Sequence, residues 1–188
     1  KGAKKARSYR KKARKTSPLV LKSGCVPAIL LHGHKSGYVE VDMTFRLMTI
    51  EDYEKVYELW MSCVGMGLNN LDDSKEGIEK FLKRNPDTCF VAEEENNIVG
   101  VIIVGNDGRR GYIYHTAVNP QYRKQGVAKS LVDTAMTALQ KIGINKVALV
   151  VFDRNKIGND FWEKMGFTVR DDLIYRNKAL AEIVRIDT

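Results

Sequence analysis

The sequence predicts an α/β domain in which a mixed β-sheet is flanked by helices, in the order βααβββαβαβ(β). Three observations support this order. Apolar residues recur at helical spacing after a first short strand, three strand patterns separated by turn signals follow, and a long helical pattern then lies between two further strand patterns. Helices that connect strands of one sheet are typical of mixed α/β layers.

The first half of this pattern runs from Thr44 to Val118. The strand 44–48 leads to Thr49 and an acidic first turn, a typical helix start, and apolar residues then recur at helical spacing over 53–60. A second helix is predicted over 74–84, with Asn85-Pro86 as its stop. Turn signals at Asn96-Asn97 and Asn106-Asp107-Gly108 then predict a meander of three antiparallel strands at 88–94, 98–104 and 112–118.

The second half begins after Asn119-Pro120. One apolar helical face extends from Val127 to Ile142, and Gly143 ends it. The remaining elements are a buried strand at 146–152, a short helix near 159–165 ended by Gly166, strand candidates at 167–169 and 173–175, and a possible last strand at 181–186.

The net charge of +8 belongs to the first part of the chain. Residues 1–43 contain 11 of the 31 Lys and Arg residues and 2 of the 23 acidic residues, which leaves residues 44–188 at −1. The run 1–15 has almost nothing to bury and is typical of a solvated or partner-binding arm. We therefore expect an N-terminal extension over 1–43 and a folded domain over 44–188. Residues 1–42 are either native or an added or mis-started extension, and both interpretations stay open.

Composition excludes several classes of protein. The three cysteines Cys25, Cys63 and Cys89 are far apart, which favours buried reduced thiols over a disulfide framework or a zinc site. His32 and His34 lack further ligands at useful spacing, so no metal is expected. No apolar run approaches the ~20 residues of a membrane span, and we expect a cytoplasmic protein without membrane partners.

A candidate phosphate site lies where the third meander strand leads into the long helix. The first amides of a helix have no internal partners, and together with the helix dipole they attract phosphate. Gly126 and Ala128 lack bulk that would keep a diphosphate from the backbone, and Arg123, Lys124 and Lys129 add positive charge. A glycine beside basic residues at a helix start is a weak signal by itself.

The segment AVNPQYRKQGVAKSLV resembles the strand–[RQ]xxGx[GA]–helix motif of the GCN5-related N-acetyltransferase (GNAT) family, with Arg123, Gly126 and Ala128 at the motif positions. The later segment NKIGNDFWEKMGF is similar to the family's Asn…(F/L)YEK(L/M)GF segment, in the same order. The resemblance covers residues 44 to about 175. It implies a sheet that is splayed at its centre, acetyl-CoA as the acetyl donor and an amine as the acceptor.

The resemblance also implies roles for individual residues. The pyrophosphate would be held by amides of 125–129, and pantetheine would lie between splayed strands that end at Val118 and Val151, as an added strand does. Val118 would occupy a bulge whose amide polarises the thioester carbonyl, and Asn155 would contact pantetheine. The full set of implied cofactor contacts is Ala117, Val118, Arg123, Lys124, Gln125, Gly126, Val127, Ala128, Lys129, Asn155 and Trp162.

The acid–base residues depart from the family pattern. Tyr112 stands where a glutamate is common and Trp162 where a tyrosine is common, and an indole supplies no usable proton. Tyr175, Tyr114 and His115 remain as catalytic candidates. Strand alternation predicts that Tyr114 and Thr116 lie on one face and His115 on the other.

Each candidate also has a structural interpretation. A lone histidine often only packs, which is the favoured interpretation of His115. Tyr112 is compatible with a core filler, and Asn155 with a helix cap. Two other functions stay open, a non-catalytic acyl-CoA-binding module and a nucleic-acid-binding protein that uses the basic arm, although nucleic acid is an improbable partner for the folded domain. The acceptor's identity and a possible homodimer are undetermined by the sequence.

Overall fold

The computed structural model describes residues 43–186, so the basic arm, Cys25, His32 and His34 lie outside the described residues. Short 3₁₀ turns at Ile50–Asp52 and Pro120–Tyr122 precede α1 and α3. The regular elements are β1 (Met43–Leu47), α1 (Tyr53–Met61), α2 (Lys75–Arg84), β2 (Phe90–Glu94), β3 (Asn97–Asn106), β4 (Gly111–Val118), α3 (Val127–Lys141), β5 (Val147–Leu149) and α4 (Lys156–Lys164).

The five strands form one mixed sheet in the order β1-β2-β3-β4-β5. β1 to β4 pair antiparallel, and β5 is parallel to β4 because α3 crosses between them. β4 and β5 pair only from Gly111 with Val147 to Ile113 with Leu149. Beyond that point β4 continues to Val118 without β5, so the sheet splits between β4 and the edge strand β5. The predicted mixed α/β fold with flanking helices is confirmed.

Both faces of the sheet are covered, which explains why β3 is buried over eight consecutive residues. One face packs on α3, where Leu131 and Leu139 are fully buried. The other face packs on α1 and α2, with Trp60 fully buried at its centre. Full burial of one such side chain contributes about 1.5–3 kcal/mol, so these two clusters hold β4 in place between them.

Local signals account for the helix ends. Ser74 is the N-cap of α2, and its Oγ accepts the Gly77 amide at 3.1 Å. Gly143 and Gly166 follow α3 and α4 with φ of +81° and +86°, which is the left-handed conformation expected after a helix. The free thiols Cys63 and Cys89 are buried, and burial raises the pKa of Cys89 to about 12.

The strands predicted after α4 are absent from the described part of the chain. Residues 167–169 and 173–175 form no strand, and 181–186 contributes only an isolated bridge between Asn69 and Arg185. β5 is also shorter than the predicted 146–152. A strand needs a partner for its backbone groups, and here Val169, Leu173 and Ile174 stay exposed instead of packing on the sheet.

No helix within residues 43–186 combines the length and the apolar character that crossing a membrane requires.

Candidate functional site

The loop between β4 and α3 leaves the start of α3 open. Lys124 and Gly126 both have left-handed φ angles, +62° and +87°, and Gly126 is the N-cap of α3. The Gly126 carbonyl accepts the Ser130 amide at 2.9 Å, so the amides between them precede the first helical hydrogen bond. A Cβ placed on Gly126 would meet no atom within 4 Å. The space beside Gly126 is therefore open, as the close approach of an anion to this helix end requires.

The basic residues of the loop have different roles. Arg123 turns back, and its Nε donates to the Val118 carbonyl at 3.2 Å while Nη2 lies 3.8 Å from Cys63 Sγ. Lys129 pairs with Asp133 one turn along α3, an exposed pair worth less than about 1 kcal/mol. Lys124 is exposed. Arg123 thus anchors the loop to the end of β4, and Lys124 stays exposed just before the start of α3.

Val118 lies beside the split in the sheet. It is in register with Gly100 of β3, and the Asn119 amide donates to the Val99 carbonyl at 2.9 Å. Successive residues of a strand direct their backbone N–H and C=O groups to opposite sides. The N–H and C=O of Val118 therefore point away from β3, toward the side where β5 no longer pairs with β4. The Val118 carbonyl accepts a hydrogen bond from Arg123 Nε. Ala117 and Val118 are buried, so this backbone edge is held firmly.

The bulge of β4 is at Tyr114 and not at Val118. His115 pairs with Ile103 and Ile113 pairs with Val104, which leaves Tyr114 as the extra residue. The prediction that placed the bulge at Val118 is therefore wrong. The prediction that Tyr114 and His115 lie on opposite faces is wrong for the same reason, because one inserted residue changes which side chains share a face.

Contacts of the two side chains agree with this register. The Tyr114 ring meets Phe81 of α2 edge-on at 5.3 Å, and the His115 ring lies 5.2 Å from Trp60 of α1. Tyr114 and His115 therefore both lie on the face of the sheet that α1 and α2 cover. The two catalytic candidates are brought together rather than separated.

His115 is tied to a buried carboxylate. Its Nε2 lies 2.7 Å from Asp73 Oδ1, with the two side chains 12% and 5% exposed. Asp73 Oδ2 also accepts the Asn69 amide at 2.8 Å, and the Asp73 carbonyl accepts the Tyr53 hydroxyl at 2.9 Å. His115 Nδ1 is buried without a partner among the described residues. These contacts favour the structural interpretation of His115, and Asp73, 42 residues earlier, was not predicted from the sequence.

Three tyrosines gather near the bulge. The Tyr112 and Tyr114 rings are 4.9 Å apart. Burial, and the nearby Tyr175 among other groups, raise the pKa of Tyr112 and of Tyr114 above the ordinary value. Tyr175 is two-thirds exposed. The raised pKa values keep the Tyr112 and Tyr114 phenols protonated at neutral pH, which suits these two to donate a proton rather than to remove one.

Two residues predicted to contact a cofactor have local structural partners. Asn155 is the N-cap of α4, where its Oδ1 accepts the Gly158 amide at 2.9 Å. Trp162 packs edge-on between Phe161 and Phe167, at 5.0 and 5.1 Å, against the core cluster on the α3 face. Capping and packing account for both side chains.

A concave pocket of about 610 Å³ adjoins the bulge on the α1/α2 face. Its walls come from the end of α2, the β3–β4 hairpin and the first residues of β4 and β5. Arg84 and Arg110 line this pocket, and neither belongs to a sequence motif that would predict a binding role. Only the tertiary structure brings them together, so the sequence carried no signal for this pocket.

Comparisons with known proteins agree with this geometry. Residues 53–167 match the model of the acetyltransferase (GNAT) family. An acetyltransferase of Sodalis glossinidius is 33% identical over 140 residues, which is 74% of this chain and 97% of that protein. The matched region spans both the loop before α3 and the split in the sheet.

Two solved structures show the same fold. The PaiA N-acetyltransferase from Thermoplasma acidophilum, in complex with coenzyme A, superposes with a TM-score of 0.62 at 22% identity, covering 69% of this chain and 91% of that one. Ard1 from Thermoplasma volcanium superposes with a TM-score of 0.60 at 22% identity, covering 68% and 84%.

Proposed function

The chain belongs to the acetyltransferase (GNAT) family, and from that premise we propose that it transfers an acetyl group from acetyl-CoA to the amine of an acceptor. One observation carries the proposal. The open amides at the start of α3 and the unpaired edge of β4 at Val118 lie at the two ends of one short loop. Acetyl-CoA contains a diphosphate joined to an amide-containing chain. To bind it, a protein needs a phosphate site and an unpaired strand edge next to each other.

The chain's own residues fit the parts of the donor. The amides of 125–129 and the Lys124 ammonium would hold the pyrophosphate, since Gly126 offers no side chain to block it. The free N–H of Val118 would pair with pantetheine and orient the thioester carbonyl, whereas Ala117, whose backbone pairs with Val101 of β3, would support that edge. Acetyl-CoA supplies an acyl group already activated as a thioester. Asn155 and Trp162 would support this site through α4 and its packing rather than by polar contacts.

The acceptor ammonium loses two protons in the reaction, and the departing sulfur gains one. The neutral acceptor nitrogen attacks the thioester carbonyl, an N–C bond forms, the nitrogen releases its second proton and the C–S bond breaks, so the products are an amide, the coenzyme thiol and one proton released to solvent. An alkylammonium resembles lysine, with a pKa of about 10.4, so the amine first loses a proton to solvent. The departing thiolate, with a pKa near 8.5 by analogy with cysteine, needs only modest help.

We assign that help to Tyr114, with Tyr175 as the alternative donor. Tyr114 stands at the bulge of β4 and borders the pocket from which an acceptor would approach. Its raised pKa keeps the phenol protonated across the neutral range. His115 is held by Asp73 and would position the strand rather than exchange protons with substrate.

Other functions remain as outcomes of the test. A non-catalytic acyl-CoA-binding module would bind the coenzyme without amine-dependent thiol release. Nucleic-acid binding would depend on residues 1–43 and would weaken steeply with salt. The domain boundary at 43/44, a cytoplasmic location and a homodimer stay predictions.

The test pairs thiol release from acetyl-CoA over a panel of amines with calorimetric titration of CoA. Gly126→Asp and Gly126→Asn are the matched variants, since both side chains tolerate a positive φ and they differ only in charge. We expect Asp to weaken CoA binding about tenfold more than Asn, because it places an anion beside the pyrophosphate. Equal CoA affinities in the two variants would show that the loop is only a helix start. Amine-dependent thiol release would exclude the non-catalytic module.

A further inference from the structure

The pocket beside the bulge has the size and the position of an acceptor site. Its volume of about 610 Å³ lies within the range of small-molecule sites. Tyr114 belongs both to the bulge and to the pocket wall. A molecule in this pocket therefore contacts Tyr114, the proposed proton donor.

One wall of the pocket is aromatic. The Tyr114 ring stands between the other two, with its centroid 5.3 Å from that of Phe81 and 4.9 Å from that of Tyr112. Such a wall offers apolar faces together with two phenol hydroxyls that remain protonated. It suits a small organic molecule rather than a simple ion.

Basic side chains also line the pocket. Arg84, Arg110 and Lys146 line the pocket, and none of them takes part in an ion pair within residues 43–186. The lining includes one carboxylate, Asp107, which accepts the amides of Arg109 and Arg110 at 2.8 and 2.6 Å. Three cations against one carboxylate leave the pocket lining with a net positive charge.

Two further carboxylates lie near the pocket. Arg170, and more weakly Lys146, lower the pKa of Asp172, and the Arg170–Asp172 pair is closed at 2.7 Å. Asp72 lies near Tyr114. Burial is the largest cause of the raised pKa of that phenol, and the negative charge of Asp72 is the second. The charge is thus divided, with cations on the hairpin side and a carboxylate on the side of the bulge.

We propose that the acceptor amine carries an anionic group of its own, a carboxylate or a phosphate, which binds to Arg84, Arg110 and Lys146 while the amine points toward Tyr114. This inference rests on the proposed acetyl transfer and narrows its substrate class. A polyamine would be repelled by these cations, and a neutral monoamine would leave them unpaired. The products remain the N-acetylated acceptor and the free coenzyme thiol.

The experiment compares amines that differ by the anionic group. Phenylalanine with 2-phenylethylamine tests a carboxylate, and phosphoethanolamine with ethanolamine tests a phosphate. We expect kcat/KM for thiol release by the full chain to be at least about tenfold higher for the anionic member of one pair. In the double variant Arg84→Gln/Arg110→Gln that advantage should fall to about twofold or less.

Arg109→Gln is the control for the change at Arg110. It removes one positive charge from the same hairpin, but Arg109 does not line the pocket, and its amide still binds Asp107. The anionic preference should survive in this variant. Thermal melting of all variants reports whether each is folded, and calorimetric titration of the four amines without acetyl-CoA measures binding alone.

The two proposals fail in different ways. Binding of an anionic amine that depends on Arg84 and Arg110, without thiol release, overturns acetyl transfer and leaves the anion site standing. Acetylation that is as fast with the neutral amines, or unchanged in the double variant, overturns the anion site and leaves the transfer standing. Absence of both binding and turnover with all four amines overturns the anion site, and it overturns the transfer too if the wider amine panel is also inactive.

Discussion

Replacing His115 by Gln and by Phe separates a positioning role from a catalytic one. Gln can place an amide N–H where Nε2 donates to Asp73, but it has no basic nitrogen. Phe keeps the ring beside Trp60 and removes the donor. If His115 only holds the strand, the two variants differ in stability and resemble each other in activity.

The expected size follows from the geometry. The His115–Asp73 contact is 2.7 Å long and nearly buried, and a hydrogen bond to a charged group contributes about 1.5–3 kcal/mol. His115→Phe also leaves Asp73 Oδ1 without this partner, although Oδ2 keeps the Asn69 amide. We expect the free energy of unfolding to fall by about 2–4 kcal/mol for Phe and by less than about 1 kcal/mol for Gln.

Two assays check this expectation. Denaturant unfolding gives the stabilities, and the Tm of the Phe variant should fall by about 5–15 °C. Steady-state kinetics at a temperature where both variants are folded should give kcat within about threefold of the parent. A stable Gln variant whose kcat is more than about a hundredfold lower would refute this reasoning and make His115 a catalytic residue.

Two other predictions concern proton donation and pH. Tyr114→Phe should lower kcat about tenfold with little change in KM, and Tyr175→Phe less, as measured by thiol release; the reverse order would move the donor role to Tyr175. Arg46→Gln should destabilise the fold at pH 7 by about 1–3 kcal/mol, because Arg46 holds buried Asp52 at 2.7 Å and contributes to the lowered pKa of that carboxyl. A folded-state pKa below the unfolded value of about 3.9 gives stability that is present above pH 4 and lost as the pH falls further. Unfolding curves of both proteins should therefore converge between pH 4 and 2, and a constant gap would contradict the assignment.

Elements governed by local signals were predictable. The left-handed Gly126 at the start of α3 and the Asn155 cap of α4 are encoded within a few residues of where they act. The β2–β3 turn was placed within one residue, since the left-handed pair is Glu95 and Asn96, with φ of 47° and 64°, rather than Asn96-Asn97. Such errors are small because the residue types within a turn set its conformation, without a contribution from distant parts of the chain.

Features that depend on distant partners were not predictable. The segment Tyr112, Ile113, Tyr114, His115 reads as a regular strand, and only pairing with β3 reveals the extra residue at Tyr114. Asp73 reaches His115 across 42 residues. The segments after α4 have strand-forming composition, but a strand also needs a free edge in register, and composition carries no information about that edge.

The bulge links the fold to the candidate chemistry. Tyr112 and Tyr114 are two residues apart and share the α1/α2 face by ordinary strand alternation, and the bulge adds His115 to that face. Val118, four residues after Tyr114, keeps its register with Gly100. The bulge therefore places His115 beside the candidate acceptor pocket and leaves the candidate donor edge of β4 undisturbed, where Arg123 binds the Val118 carbonyl and the Val118 N–H points away from β3.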